Sequence, residues 1–101
     1  PGDLWGSCQQ VDTSYFAPAF YKVFGFATGM EAEWNKVIDA GFEVLGKCNA
    51  RNAGTGLTPQ WTDCECAASP PQGMHPEHYF CDALRMPLRV AISAAWDCDE
   101  R

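Results

Sequence analysis

The sequence predicts an all-α fold with three principal helices and one long loop. Apolar residues recur at spacings of three and four in three stretches, near residues 17–28, 31–48 and 85–97, and this is the period of one helix face. Between the second and third stretches, residues 52–77 contain four prolines and three glycines. No single regular element fits such a stretch, so we expect a long irregular loop and no substantial sheet.

The first helix follows the segment Asp12-Thr13-Ser14, which offers candidate N-cap side chains. Pro18 suits only the first turn of a helix, where a missing N–H costs little. Thr28-Gly29 then ends the pattern. The apolar face of this helix consists of Phe16, Phe20, Val23, Phe24 and Ala27.

The second helix, from about Glu31 to Cys48, has the cleanest pattern, with charged residues on the face opposite its apolar stripe. Its stripe consists of Trp34, Val37, Ile38, Phe42, Leu45 and Cys48. The third helix starts near Arg85 or Met86, because Pro87 disfavours helix before it. Its apolar face consists of Leu84, Leu88, Ala91, Ile92, Ala95 and Trp96. Within the loop, Leu57–Trp61 is a candidate extended piece.

The three apolar faces are too broad and too aromatic to cover one another, so we expect residues 1–101 to be a fragment of a larger domain. The first residues also lack a basic start, an apolar core of a signal peptide and an initiator Met. We therefore expect the sequence to begin within a protein or after processing.

The chain has 101 residues and a formal net charge of −6, from 7 Lys+Arg and 13 Asp+Glu. A negative surface repels nucleic acid and anionic membranes, so neither is expected as a partner. No apolar run approaches the roughly 20 residues that cross a bilayer. No cofactor is expected either.

Six cysteines allow three disulfides in 15 possible connectivities, and they favour an oxidising, secreted or periplasmic location. We expect loop disulfides that join Cys64 or Cys66 to Cys8 or Cys98. The alternative is a reduced protein with buried thiols, which suits Cys48, Cys81 and Cys98 best.

A metal site is the other interpretation of the loop cysteines, because His75 and His78 lie in the same loop. Structural zinc sites usually pair cysteines as C-x₂₋₄-C, and the single residue between Cys64 and Cys66 is too short for that pattern. No metal is expected.

Asp82 is the candidate catalytic group, because it lies at an irregular helix entry and is followed by Arg85 and Arg89. A helix N-terminus, nearby N–H groups and guanidinium groups hold a carboxylate in its ionised form, and an ionised, oriented carboxylate can act as a general base. The alternative is that Asp82 is simply an N-cap residue with nearby ion pairs.

Four segments resemble glycoside hydrolase family 8, in the order of that family. Tyr79–Arg89 resembles its YDAxRxPwR segment, and Ser14–Tyr21 is similar to its SYFAPAYY helix start. Gly56–Trp61 looks like GLxPDW, and Pro1–Gly6 resembles the loop before the SYFAP helix. The family contains bacterial endo-β-1,4-glucanases, chitosanases, lichenases and xylanases. The resemblance implies an (α/α)6 barrel of roughly 350 residues, of which this chain is an interior part, and an inverting mechanism.

The resemblance also implies roles for particular residues. Asp82 matches the general base that activates water, Tyr15 matches a Tyr near that water, and Arg85 matches an Arg beside the base. Trp5 and Trp61 are candidates for stacking on sugar rings, although Trp61 can equally be core packing. The substrate is then a β-linked polysaccharide, with cellulose-type glucan as the default.

Three departures from the family bear on what this chain does alone. The family's general acid, a Glu, and a further Asp that helps distort the sugar both belong to an upstream segment that is absent here, and Gln60 stands where the family usually has Asp. We therefore expect the isolated chain to be inactive. The competing interpretations are a small secreted helical binding domain closed by disulfides and a metal-binding interaction module.

Overall fold

A computed structural model describes residues 7–69 and 83–98. It contains three helices, α1 (Pro18–Thr28), α2 (Glu31–Arg51) and α3 (Arg85–Asp97). Two short strands, β1 (Val11–Asp12) and β2 (Trp61–Thr62), form a small sheet. The all-α prediction is confirmed, and α2 continues three residues beyond its expected end. The architecture is consistent with a segment of the all-helical barrel that the resemblance implies.

The chain enters α1 through a 3₁₀ turn, Thr13–Tyr15. The Asp12 carboxylate accepts a hydrogen bond from the Ser14 N–H at 2.9 Å and caps this turn. α1 itself has Ala17 at its N-cap without a side-chain hydrogen bond, and Pro18 occupies its first turn as expected. The prediction that residues 12–14 cap α1 is therefore wrong, because their capping bond serves the 3₁₀ turn that precedes the helix.

A left-handed glycine turns the chain from α1 into α2. Gly29 has φ +67°, a conformation that glycine adopts without steric cost. The Met30 N–H donates to the Gly25 carbonyl at 3.0 Å across this turn. As a result α2 returns along α1, and Trp34 packs against Tyr21 and Phe24 with ring centroids 5.5 and 5.4 Å apart.

The start of α1 is locked onto α2 by an aromatic ring that fills the space over a glycine. Phe16 is buried and meets Phe42 edge-on, with centroids 5.1 Å apart. A Cβ added to Gly41 would lie 2.2 Å from the Phe16 ring. Only glycine at position 41 allows this approach, so Gly41 determines how closely the segment before α1 sits on α2.

The loop after α2 is tied to the segment before α1. β1 and β2 pair antiparallel, with Val11 opposite Thr62 and Asp12 opposite Trp61, and the Thr13 hydroxyl donates to the Pro59 carbonyl at 3.2 Å. The expected extended piece, Leu57–Trp61, overlaps β2 only at Trp61. The ladder begins there because the partner strand is two residues long, and because Pro59 has no N–H to donate to a ladder.

Two disulfides staple this loop. Cys64 is bonded to Cys8, and Cys66 is bonded to Cys48 on α2. The first bond is one of the expected pairings. The buried-thiol alternative is wrong for Cys48, because its sulfur is in a disulfide. Cys98 is exposed and free among the cysteines that the structure describes, so it neither bonds the loop nor acts as a buried thiol.

Cys81 lies outside the described residues.

The turn that carries Cys64 and Cys66 has its own internal support. One oxygen of the Asp63 carboxylate accepts hydrogen bonds from the N–H groups of Glu65 and Ala67, at 2.9 and 2.8 Å.

The apolar stripes do not close on themselves in the part of the chain that the structure describes. Leu88 and Trp96 on α3 are 62% and 60% exposed, and Phe26 on α1 is 79% exposed. The buried apolar residues are few and mostly small: Phe16, Ala17, Ala19, Ile38, Cys48, Cys66, Ala83 and Met86. A closed small domain would instead enclose the aromatic faces of α1 and α3.

Two glycines of α2 provide a matched test of the Phe16 contact. We expect Gly41→Ala to destabilise the protein by roughly 1–3 kcal/mol through overpacking against Phe16. Gly46 has nothing within 4 Å of its Cβ position, so we expect Gly46→Ala to stabilise α2 by about 0.5–1 kcal/mol. Thermal unfolding midpoints of the two variants would measure this, and equal midpoints would contradict the Phe16 packing.

We expect peptide mapping without reductant to recover a Cys8–Cys64 peptide and a Cys48–Cys66 peptide. The bonds span 56 and 18 residues, so chain entropy predicts contributions of about 4 and about 3 kcal/mol. Reduction should therefore lower the unfolding midpoint. Peptides that join Cys64 to Cys48, or free thiols at these four positions, would show that the pairing is different.

Candidate active site

Tyr15 is the last residue of the 3₁₀ turn, and its side chain is 61% exposed. Its backbone is held even though its ring is not enclosed. The Tyr21 hydroxyl donates to the Tyr15 carbonyl at 2.7 Å, and the Phe16 N–H donates to the Thr13 carbonyl at 3.1 Å. The turn therefore presents the Tyr15 phenol to solvent from a fixed backbone.

Two arginines of α3 face the Tyr15 ring. The guanidinium carbons of Arg85 and Arg89 lie 5.6 and 6.0 Å from the ring centroid. Residues four apart share a helix face, so α3 presents both cations on one side. Arg89 also donates a hydrogen bond to the Ser14 carbonyl. The structure thus brings together two of the predicted site residues, Tyr15 and Arg85, although their roles remain predictions.

In the sequence, Arg89 is a cation near Asp82 and the last residue of the Tyr79–Arg89 segment that resembles the family motif, with no role assigned to it. The signal for its placement was its spacing of four from Arg85, which puts the two side chains on the same helix face. The sequence offered no signal that this face would meet Ser14 and Tyr15, because the contact joins residues 75 positions apart.

The electrostatics of the turn involve Tyr21 as well. Burial raises the pKa of the Tyr21 phenol above its ordinary value, and the Ala17 backbone and the Arg89 guanidinium oppose this rise. The phenol is therefore protonated at neutral pH, and its hydrogen bond to the Tyr15 carbonyl is maintained there.

The N-terminus of α3 lies next to this group. Leu84 occupies the N-cap position, and its own side chain makes no capping hydrogen bond. That Asp82 is an N-cap residue with nearby ion pairs stays the alternative interpretation. Asp82 itself lies outside the described residues, so its predicted approach to Tyr15 stays a prediction. A helix N-terminus and two arginines together favour a negative group nearby.

Of the two predicted sugar-binding residues, Trp61 lies in the described part of the chain. Trp61 is half-buried in β2, and its indole nitrogen is buried without a hydrogen-bond partner in the described part of the protein. Gln60, which precedes Trp61 in the sequence and stands where the family usually has Asp, is buried. Trp5 lies outside the described residues. Stacking by Trp61 and Trp5 remains a prediction.

A groove of about 500 Å³ runs between the 3₁₀ turn and α2, with Tyr15 in its wall. Most of the lining is apolar, and it includes Phe16, Gly41, Val37 and Val44. The groove is therefore continuous with the packing contact that fixes Tyr15.

Within residues 7–69 and 83–98, no three His, Cys, Asp or Glu side chains are grouped so as to hold a metal ion. Cys64 and Cys66, the thiols of the alternative metal site, are both in disulfides. His75 and His78 lie outside the described residues. Separately, none of the described helices combines the length and apolar character required to span a bilayer.

Comparison with known proteins identifies relatives over the whole chain. Residues 1–100 match the family model of glycosyl hydrolases family 8. The chain is 38% identical over 101 residues to Endoglucanase A of Acetivibrio thermocellus, with all of the chain and 20% of that protein covered. It is 40% identical over 96 residues to Endoglucanase 2 of Ruminiclostridium josui, covering 95% of the chain and 20% of the relative.

A third relative, Endoglucanase C of Ruminiclostridium cellulolyticum, is 39% identical over 95 residues, which are 94% of the chain and 19% of that protein. The chain thus spans about a fifth of the length of the curated relatives that it matches. The family match over residues 1–100 agrees with the resemblance carried by the segments around Tyr15, Trp61 and Arg85, and the chain belongs to glycosyl hydrolases family 8.

Proposed function

We propose that this chain contributes the general-base side of the active site of an enzyme that hydrolyses internal β-1,4 bonds in a polysaccharide. The observation that carries the proposal is the exposed Tyr15 phenol beside Arg85 and Arg89 at the start of α3. The three relatives are named endoglucanases, which supports a cellulose-type β-glucan as the substrate.

Asp82 is the proposed general base. It precedes Arg85 by three residues, and Arg85 contacts the Tyr15 ring. An inverting hydrolase needs a base that takes a proton from the attacking water and an acid that protonates the leaving oxygen, with the two carboxyl groups roughly 6.5–9.5 Å apart. In this proposal Tyr15 lies near the water, Arg85 orients the base, and the acid comes from outside these 101 residues.

The domain arrangement follows from the same proposal. The exposed faces of α1 and α3, which include Phe26, Leu88 and Trp96, pack against further helices of the catalytic domain. Relatives about five times as long as the matched segment have the chain length to supply such helices. This favours the hydrolase over the competing disulfide-closed binding domain, since that domain has to cover these faces itself.

The proposed location is outside the cytoplasm, in the secreted or periplasmic fraction. Disulfides persist in oxidising compartments and are rare in the cytosol, and the structure contains Cys8–Cys64 and Cys48–Cys66. A polymeric glucan is also too large to enter a cell, so an enzyme that cuts its internal bonds has to meet it outside.

The first test replaces the proposed base in the full-length protein. Asp82→Asn keeps the shape of the side chain but cannot accept the proton of water, so we expect turnover on soluble carboxymethylcellulose to fall by roughly 10²–10⁴. Binding of the polymer should persist, because it depends on contacts spread along the groove. Release of reducing ends measures turnover, and retention in a cellulose affinity gel measures binding.

Asp39→Asn is the matched control, because Asp39 is an exposed carboxylate on α2 and should leave turnover unchanged. NMR of the first product formed by the parent enzyme should show an inverted anomeric carbon. Near-normal turnover by Asp82→Asn, or hydrolysis by the 101-residue chain alone, would overturn the assignment of Asp82 as one of two required carboxyl groups.

A second test addresses Trp61. If its indole stacks on a sugar, Trp61→Ala should raise KM by roughly tenfold, the equivalent of about 1.4 kcal/mol, while Trp61→Phe should stay close to the parent. Phe is a fair control because the indole nitrogen has no described hydrogen bond to lose. An unchanged KM with a lowered unfolding midpoint would instead identify Trp61 as core packing. Trp5→Ala should raise KM in the same way.

A further inference from the structure

We propose that Arg89 is a positioning residue for Tyr15, which it holds in place through the Ser14 carbonyl. The inference rests on the proposed function, since the position of Tyr15 matters for turnover only if Tyr15 serves the reaction. The resemblance assigned roles to Asp82, Tyr15 and Arg85, and Arg89 received none beyond its charge.

The first support is that one guanidinium makes two contacts on the same residue pair. Arg89 donates to the Ser14 carbonyl, and its guanidinium carbon lies 6.0 Å from the Tyr15 ring centroid. The side chain therefore holds the peptide that precedes Tyr15 and also lies against the ring that this peptide carries.

The second support is the hydrogen bonding of the turn, in which each carbonyl has its own donor. The carbonyls of Thr13, Ser14 and Tyr15 accept from the Phe16 N–H, the Arg89 guanidinium and the Tyr21 hydroxyl, respectively. The first and third donors lie within six residues of their acceptors. Arg89 is the donor that comes from α3, so it ties the turn to the helix that carries Arg85.

The third support is the exposure of Tyr15. Its side chain is 61% exposed, whereas Ser14 and Phe16 on either side of it are buried. Packing therefore fixes the neighbours of Tyr15 and leaves its ring without an enclosing wall. A ring in this position depends on its backbone and on the cations beside it for a defined location, and cation–π contacts of exposed groups are individually weak.

Arginine is the residue type that such a role requires. Its planar guanidinium has several donors in a fixed fork and can lie against an aromatic ring while it donates to a carbonyl. A lysine ammonium is a compact point charge and does not reproduce both contacts. The charge at position 89 can thus be separated from the geometry by experiment.

The test uses the full-length enzyme with Arg89→Lys and Arg89→Gln. We expect Arg89→Gln to lower kcat on carboxymethylcellulose by roughly tenfold to a hundredfold, the cost typical of a misplaced active-site group, with KM close to that of the parent. The kcat of Arg89→Lys should lie between those of the parent and of Arg89→Gln. Arg51→Gln is the matched control, because Arg51 also donates to a backbone carbonyl, that of Glu65 at 3.3 Å, and its loss should leave kcat unchanged.

A double-mutant cycle with Tyr15→Phe supplies a readout that a purely structural role would not move. If Arg89 acts through Tyr15, Arg89→Gln should cost much less in the Tyr15→Phe background than in the parent, because interacting residues are non-additive. Fully additive losses, or an unchanged kcat in Arg89→Gln, would overturn the role of Arg89. If Arg89→Gln does not fold, the same cycle with Arg89→Lys decides.

The cycle also separates the two levels of the argument. A loss of turnover in Tyr15→Phe together with additive Arg89 effects would leave the proposed function standing and overturn this inference alone. Parental turnover in both Tyr15→Phe and Asp82→Asn would overturn the proposed function, and the role of Arg89 with it.

Discussion

The close approach of Phe16 to Gly41 is the constraint on which the rest of the described structure depends. A side chain at position 41 would meet the Phe16 ring at 2.2 Å, so the helix backbone itself forms the surface on which the ring rests. This contact fixes the residue after Tyr15 against α2. The Tyr15 phenol can then be exposed while its backbone has a defined position, because that backbone cannot move without separating Phe16 from Gly41.

The other ties around Tyr15 compensate for a small core. Few large side chains are buried in the described ranges, and Ile38 is the largest that is fully enclosed. The Cys8–Cys64 and Cys48–Cys66 bonds join the segment before the 3₁₀ turn, the loop and α2. Covalent closure of this kind stabilises a fold mainly by restricting its unfolded chain, so it can hold β2 near the turn where apolar burial is limited.

The sequence predicted the helices well because their signals are local. The apolar period of α2, the proline in the first turn of α1 and the glycine after Thr28 each act within a few residues. The cap at Asp12 was assigned to α1 because sequence does not distinguish a 3₁₀ turn from the first turn of a helix. The bond between Cys48 and Cys66 was missed because Cys48 also fits an apolar stripe, and periodicity carries no information about oxidation.

The candidate site was predicted only in part, because local sequence signals do not show which distant elements meet. The resemblance to the family's motifs named Tyr15 and Arg85, and the structure brings them together. The contact from Arg89 to the Ser14 carbonyl, however, joins positions 75 residues apart. Such a contact depends on how α3 crosses the start of α1. The helix period predicts which face of α3 carries the arginines, and it does not predict which element that face meets.

The placement of positive charge bears on which of the two carboxyl groups of an inverting hydrolase acts as acid and which acts as base. The chain has a net charge of −6 and 7 Lys+Arg, yet two of those seven cations face one tyrosine ring at the start of α3. Two carboxyl groups can serve as acid and base at one pH only if their surroundings move their pKa values apart. Cations and a helix N-terminus favour the ionised form of a nearby carboxylate. In the proposed enzyme the start of α3 therefore suits the base. The acid has to lie in less cationic surroundings that keep its proton.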